Sequence, residues 1–191
     1  NPNYPDAHNN LGVALKEQGN LTAAITSYNK ALELNPNYPD ARNNLGVALH
    51  EQGEPDAAIA SYNTALQLNP NYPEAHYNLG VALQKQGDLT AAVVSYNKAL
   101  ELNPNYPEAH INLGIIHLEQ GEPDAAIACY NTALQLNPNY PEAHTYIGNS
   151  LKEQGDLTAA IAAYNKALDL KPNLPEAHNN LGVALQKQGD L

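Results

Sequence analysis

A single cysteine, Cys129, excludes an internal disulfide. Its counterparts in the pattern described below are Ser27, Ser61, Ser95 and Ala163, so the position asks for a small side chain and not for a thiol. Basic residues are also scarce, with nine Lys and Arg against twenty Asp and Glu, a formal net charge of −11, and only 15% charged residues overall. That balance argues against nucleic acid and anionic membrane as partners, and favours uncharged or basic peptides over acidic ones. No run approaches the roughly 18 apolar residues of a membrane span, and no signal peptide precedes the first helical pattern. The expectation is a cytoplasmic protein. Clustered chemistry is missing too, because the seven histidines are dispersed through the chain and no group has ligand or triad spacing. His110 and His117 come closest, at i and i+7 on a packing stripe, and read as two hydrogen-bonded imidazoles. No catalytic residue, metal or cofactor is expected, and the protein is not expected to be an enzyme. The sequon Asn20-Leu21-Thr22 is accounted for by helix capping.

What the chain has instead is repetition. The stretch from Asn1 to Leu34 recurs at Asn35, Asn69, Asn103 and Asn137, and a partial sixth copy runs from Lys171 to Leu191. A period of 34 residues marks one supersecondary unit that buries its apolar face only against its neighbours. In the first copy Ala7, Leu11, Ala14 and Leu15 form one helical stripe starting at Pro5. Leu21, Ala24, Ile25, Tyr28, Ala31 and Leu32 form a second after the break at Gly19. Pro36 follows the second helix and Pro39 opens the next. The unit is therefore an antiparallel helix hairpin. Asn20, Asp88 and Asp156 are good N-caps, whereas Glu54 and Glu122 are poorer ones followed by Pro55 and Pro123. This alternation, with NKALEL against NTALQL, implies a duplicated pair of hairpins. Gly12 and its counterparts sit mid-helix, where glycine costs roughly 1 kcal/mol against alanine. Close approach under Tyr28 is the expected compensation.

Leu11, Gly12, Gly19, Ala24, Tyr28, Ala31 and Pro36 match in type and spacing the signature of the tetratricopeptide (TPR) repeat, and the chain resembles that family over its whole length. The resemblance implies an all-α solenoid, a right-handed superhelix of five full repeats plus one extra helix. It would be a single array over residues 1–191, with repeats 1–34, 35–68, 69–102, 103–136, 137–170 and a partial 171–191. His8, Arg42, His76, His110, His144 and His178 depart from the signature at its first aromatic position.

Asp6, Asn9, Asn10, Val13, Lys16 and Glu17 follow helical spacing on a second face of the first helix, off the packing stripe. In the TPR family that face lines the ligand groove. The acids Asp6, Asp40, Glu74, Glu108, Glu142 and Glu176 need no ligand, because the helix dipole accounts for carboxylates in the first turn. Asn10, Asn44, Asn78, Asn112 and Asn180 hold five of six equivalent mid-helix positions. The TPR superhelix of the O-linked N-acetylglucosamine transferases carries a similar asparagine ladder, which implies a peptide-binding role for these five. The other reading is an amide that bonds to the neighbouring repeat and fixes its rotation, and both stand. The basic residues of carboxylate-clamp TPR proteins are absent, since the matching positions include Asp6, Glu74 and Asn78.

Departures between repeats fall on first helices. Tyr77 and Val81 form one short apolar stripe, and Ile111, Ile115 and Leu118 form another, with Tyr146 and Asn149 bordering them. These join the asparagines as the expected peptide-binding patch. The function expected is a protein-interaction scaffold that binds extended segments in the groove of the first helices. The alternative is the substrate-recruiting arm of an enzyme such as a glycosyltransferase, with its catalytic domain elsewhere. End-to-end self-association through uncapped faces, Pro2 to Leu15 and Glu176 to Leu185, is a further expectation.

Overall fold

The computed structural model describes residues 4–189. Pro2 of the expected end contact, and Asp190 and Leu191 of the partial repeat, lie outside the described residues. Among those described there are eleven α-helices and no strand, and the chain divides into two compact units. Unit one, Asn1–Pro104, holds α1 (Pro5–Glu17), α2 (Leu21–Leu34), α3 (Pro39–Gln52), α4 (Pro55–Leu68), α5 (Pro73–Gln86) and α6 (Leu89–Leu102). Unit two, Asn105–Leu191, holds α7 (Pro107–Glu119), α8 (Pro123–Leu136), α9 (Pro141–Glu153), α10 (Leu157–Leu170) and α11 (Pro175–Gln188). The fold is an α-solenoid of antiparallel hairpins, α1–α2 through α9–α10, with α11 following.

Each hairpin begins where proline is tolerated. Pro5, Pro39, Pro73, Pro107, Pro141 and Pro175 sit at the start of first helices, where the missing N–H removes no helical bond. Asn20, Asp88 and Asp156 accept side-chain caps from Ala23, Ala91 and Ala159 N–H, while Glu54 and Glu122 make no such bond. The alternation of start signals is therefore a real difference in capping.

Inside a hairpin the tyrosine lies on the glycine. A Cβ built at Gly12 would stand 2.5 Å from the Tyr28 ring, and at Gly114 2.4 Å from Tyr130. Loss of the methyl lets the ring seat against the first helix, and Tyr28, Tyr96, Tyr130 and Tyr164 are completely buried.

The stripe read as Ala7, Leu11, Ala14 and Leu15 mostly faces the preceding hairpin and not its own. Ala41, Leu45 and Ala48 of α3 are buried in one cluster with Ala24, Tyr28, Ala31 and Leu32 of α2. The same positions on α1, which follows no helix among the described residues, are exposed, Leu11 at 50%. Polar clasps repeat across these joints. Gln52 Nε2 donates to Thr22 Oγ1 at 3.4 Å, Gln154 to Asp124 Oδ1 at 2.7 Å and Gln188 to Thr158 Oγ1 at 3.0 Å. At the departing aromatic position, His76 and His178 Nε2 contact the carbonyls of Pro70 and Pro172 at 2.9 and 2.8 Å, tying each first helix to the loop before it.

Candidate functional site

In unit one the first helices α1, α3 and α5 lie side by side, and their asparagines form a bonded row. Asn44 Nδ2 donates to Asn9 Oδ1 at 3.0 Å, and Asn78 Nδ2 to Asn43 Oδ1 at 3.0 Å. Asn9 and Asn43 are 6% and 5% exposed. Expected with Asn10 on the second face, they instead turn inward, because the next first helix packs over them. The member of each pair that keeps surface is the next repeat's: Asn44 and Asn78 are half-buried, and Asn10 is exposed. Tyr77 replaces the inward asparagine in α5 and is half-buried, its ring centroid 5.8 Å from that of Tyr96. Val81 is half-buried beside it in sequence register.

The acids of the first turn act on the tyrosines of the next repeat: after burial, Asp6 raises the Tyr38 phenol and Asp40 that of Tyr72. Burial and then the neighbouring carboxylate raise the Tyr38 phenol to about 12.

In unit two Asn180 Nδ2 donates to Asn149 Oδ1 at 2.9 Å, and the same oxygen accepts from the Tyr164 hydroxyl at 2.9 Å. Asn112 is half-buried. Ile111 does not lie on an exposed stripe: it is 4% exposed and belongs to the core with Ala126, Tyr130, Ala133 and Ala143. It occupies the inward position of Asn9, where α9 packs over α7. Ile115, Leu118 and Tyr146 pack on the edge of that core and keep part of their surface. Leu174 stands where the other copies have tyrosine, and in this copy Lys171 reaches the acid of the preceding repeat. Its Nζ meets Glu142 Oε1 at 2.9 Å and this bond holds the carboxyl below its ordinary value.

His117 Nδ1 lies 2.7 Å from Glu122 Oε2 in the turn before α8. Among the described residues no group of three or more His, Cys, Asp or Glu is placed to hold a metal ion. Cys129 is half-buried, and burial pushes its thiol up, away from the reactive thiolate. No helix of the described residues is long and apolar enough to cross a membrane.

One further groove lies away from the expected site residues, and a counterpart lined by His8, Thr26 and Lys30 stands 68 positions earlier. Asn63, Leu66, His76, Leu79, Val94 and Lys98 line a groove of about 560 Å³ between α4 and α6 over α5, with Val94 65% exposed on its rim. The available signal is Val94 itself, a β-branched apolar residue where other copies have Thr26, Ala60, Ala128 and Ala162.

Stacked hairpins whose first helices present a row of oriented amides define an α-solenoid of the helical-repeat class. The chain belongs to the tetratricopeptide repeat family: a TPR repeat model matches residues 14–53, 48–87, 84–121 and 148–189, and two further tetratricopeptide repeat models match 107–140 and 129–162. Solved structures agree. The crystal structure of MamA is 29% identical, with 84% of this chain and 94% of that one covered at a TM-score of 0.77. TTC0263, a thermophilic TPR protein of Thermus thermophilus, is 28% identical, with 95% and 99% covered at 0.72. The pilF structure from Pseudomonas aeruginosa is 24% identical, with 97% and 85% covered at 0.87, a likeness of fold. No curated protein sequence matches the chain.

Proposed function

We propose that this protein is an interaction scaffold that holds extended peptide segments of partner proteins along the first helices of each unit. The observation that carries the reading is the orientation of the amides. Asn44 and Asn78 each spend one N–H on the preceding repeat, which fixes the plane of the amide and leaves its carbonyl and second N–H for a ligand. A peptide backbone offers the complementary donor and acceptor at every residue. The two roles weighed for the asparagine row are compatible in this arrangement, since the bond that sets repeat packing also preorganises the group that binds. The acidic balance of the chain favours neutral or basic segments over acidic ones.

The test is capture from a synthetic peptide library by the full chain, with the thermal midpoint followed alongside. Asn10→Ala, exposed and outside the bonded row, should weaken capture and leave the midpoint unchanged. Asn44→Ala should lower both, the midpoint through loss of a hydrogen bond worth about 1 kcal/mol. Capture unaltered by either substitution would remove the asparagine row from the reading.

A further inference from the structure

We infer that the step between α7 and α9 is an anchor site for an aliphatic residue adjoining a lysine or arginine. The inference rests on the peptide-binding reading above and adds which side chains the segment must carry.

The first observation is a hydroxyl. Tyr96 donates to Gln84 Oε1 at 2.8 Å, and Tyr164 to Asn149 Oδ1 at 2.9 Å, so the tyrosine of each of these hairpins reaches the outer positions of its first helix. Tyr130 occupies the same place in the α7–α8 hairpin and is completely buried, and its hydroxyl, like that of Tyr28 in the α1–α2 hairpin, has no partner among the described residues. On α7 Ile115 stands at the position of Asn149 and Leu118 at that of Gln84, so neither position offers Tyr130 an acceptor; on α1 the same positions are Val13 and Lys16, and only the α7 pair is apolar throughout. Tyr146 of α9 closes the other side, its ring centroid 5.5 Å from that of Tyr130. Ile115, Leu118 and Tyr146 are each half-buried, so an apolar surface remains accessible above the covered hydroxyl.

The second observation is a charge. Where α1 meets α3, Lys16 Nζ lies 3.4 Å from Glu51 Oε1. The same two positions where α7 meets α9 are Leu118 and Glu153, so the carboxylate is exposed and its lysine has been replaced by an aliphatic side chain. A segment that lays an aliphatic side chain on Ile115, Leu118 and Tyr146 while bringing a cation to Glu153 supplies both missing parts. As Leu118 turns to another rotamer, a backbone carbonyl of that segment accepts from the Tyr130 hydroxyl.

The experiment uses the full chain and three fluorescent synthetic peptides of one backbone, centred on Leu-Lys, Leu-Glu and Ser-Lys. The Leu-Lys peptide should bind at least about tenfold more tightly than either of the others. Glu153→Gln should abolish the preference for lysine and keep that for leucine. Leu118→Gln gives Tyr130 the partner that Tyr96 has, and should abolish the preference for leucine with the thermal midpoint unchanged or raised. Equal binding of the three peptides, still weakened by Asn10→Ala, overturns the anchor and leaves the scaffold reading intact. A lower midpoint in Leu118→Gln with the leucine preference retained also overturns it, by showing Leu118 to be core alone. Absence of binding by every peptide tested, library included, overturns both.

Discussion

Gly46 illustrates how one missing methyl group sets the spacing of a hairpin. A Cβ there would lie 2.6 Å from the Tyr62 ring, and the ring has nowhere to go. Gly46→Ala should therefore destabilise by about 1–3 kcal/mol through overpacking, against the usual gain of roughly 1 kcal/mol for alanine in a helix. Gly182 is the internal control: nothing lies within 4 Å of its Cβ position, so Gly182→Ala should stabilise. Thermal denaturation of the two variants checks both signs. His50 gives a pH dependence. Its Nδ1 is buried without a partner among the described residues, and burial, then Lys85, lowers its pKa from 6.5 against a smaller opposing pull from Glu51. A base with a depressed folded pKa is neutral in both states well above 6.5, so its contribution is complete there and is lost as pH falls through the folded value. Stability should drop on acidification below about 6.5, and His50→Gln should flatten that slope in denaturant titrations at stepped pH. His144, lowered by burial and Lys166, accounts for part of the remaining slope.

At the scale of the helix, the caps separate the second helices into two kinds. The first residue of α6 follows an aspartate whose carboxylate takes the Ala91 N–H at 3.0 Å, and Asp88→Ala should cost about 0.5–2 kcal/mol. At the start of α4, Glu54 has backbone angles close to those of Asp88 but a side chain one methylene longer, and it forms no cap. Glu54→Asp should thus gain up to about 1 kcal/mol, read as a rise in the urea midpoint at constant slope. Proline at the first position of α4 removes one orphan N–H, which is why the poorer cap is tolerated there.

At the scale of the molecule, stability is a sum of hairpins and of joints between neighbours. Removing residues 35–68 from unit one deletes one hairpin and brings α2 against α5 through the same apolar positions that α2 presents to α3. That variant should fold cooperatively with a lower midpoint. Removing residues 35–51 takes away a first helix alone, leaves Tyr62 without its glycine, and should not fold. Circular dichroism and denaturant unfolding of the two deletions separate the outcomes, and equal behaviour would contradict a modular array.

Helix positions, hairpin pairing and the seating of tyrosine on glycine are legible in the sequence because they depend on local rules: proline at helix starts, glycine at breaks, and a fixed apolar period. The asparagine row is legible as a pattern but not as a set of bonds. Asn9 and Asn10 are adjacent in sequence and read as one face, yet Asn9 turns inward and Asn10 outward, because the neighbouring first helix packs on one side of the row only. Ile111 reads as surface for the same reason. Its helical spacing with Ile115 and Leu118 is real, but spacing does not say which edge of a stripe the next helix covers. The orphaned Tyr130 hydroxyl and the exposed Glu153 beside Leu118 also emerge only from the packed structure, since each is defined by what a residue more than ten positions away fails to supply. Sequence by itself determined the repeat and its family. Tertiary structure decided which polar atoms are spent on holding repeats together and which keep their surface, because hydrogen bonding between helices depends on distances that no single period encodes.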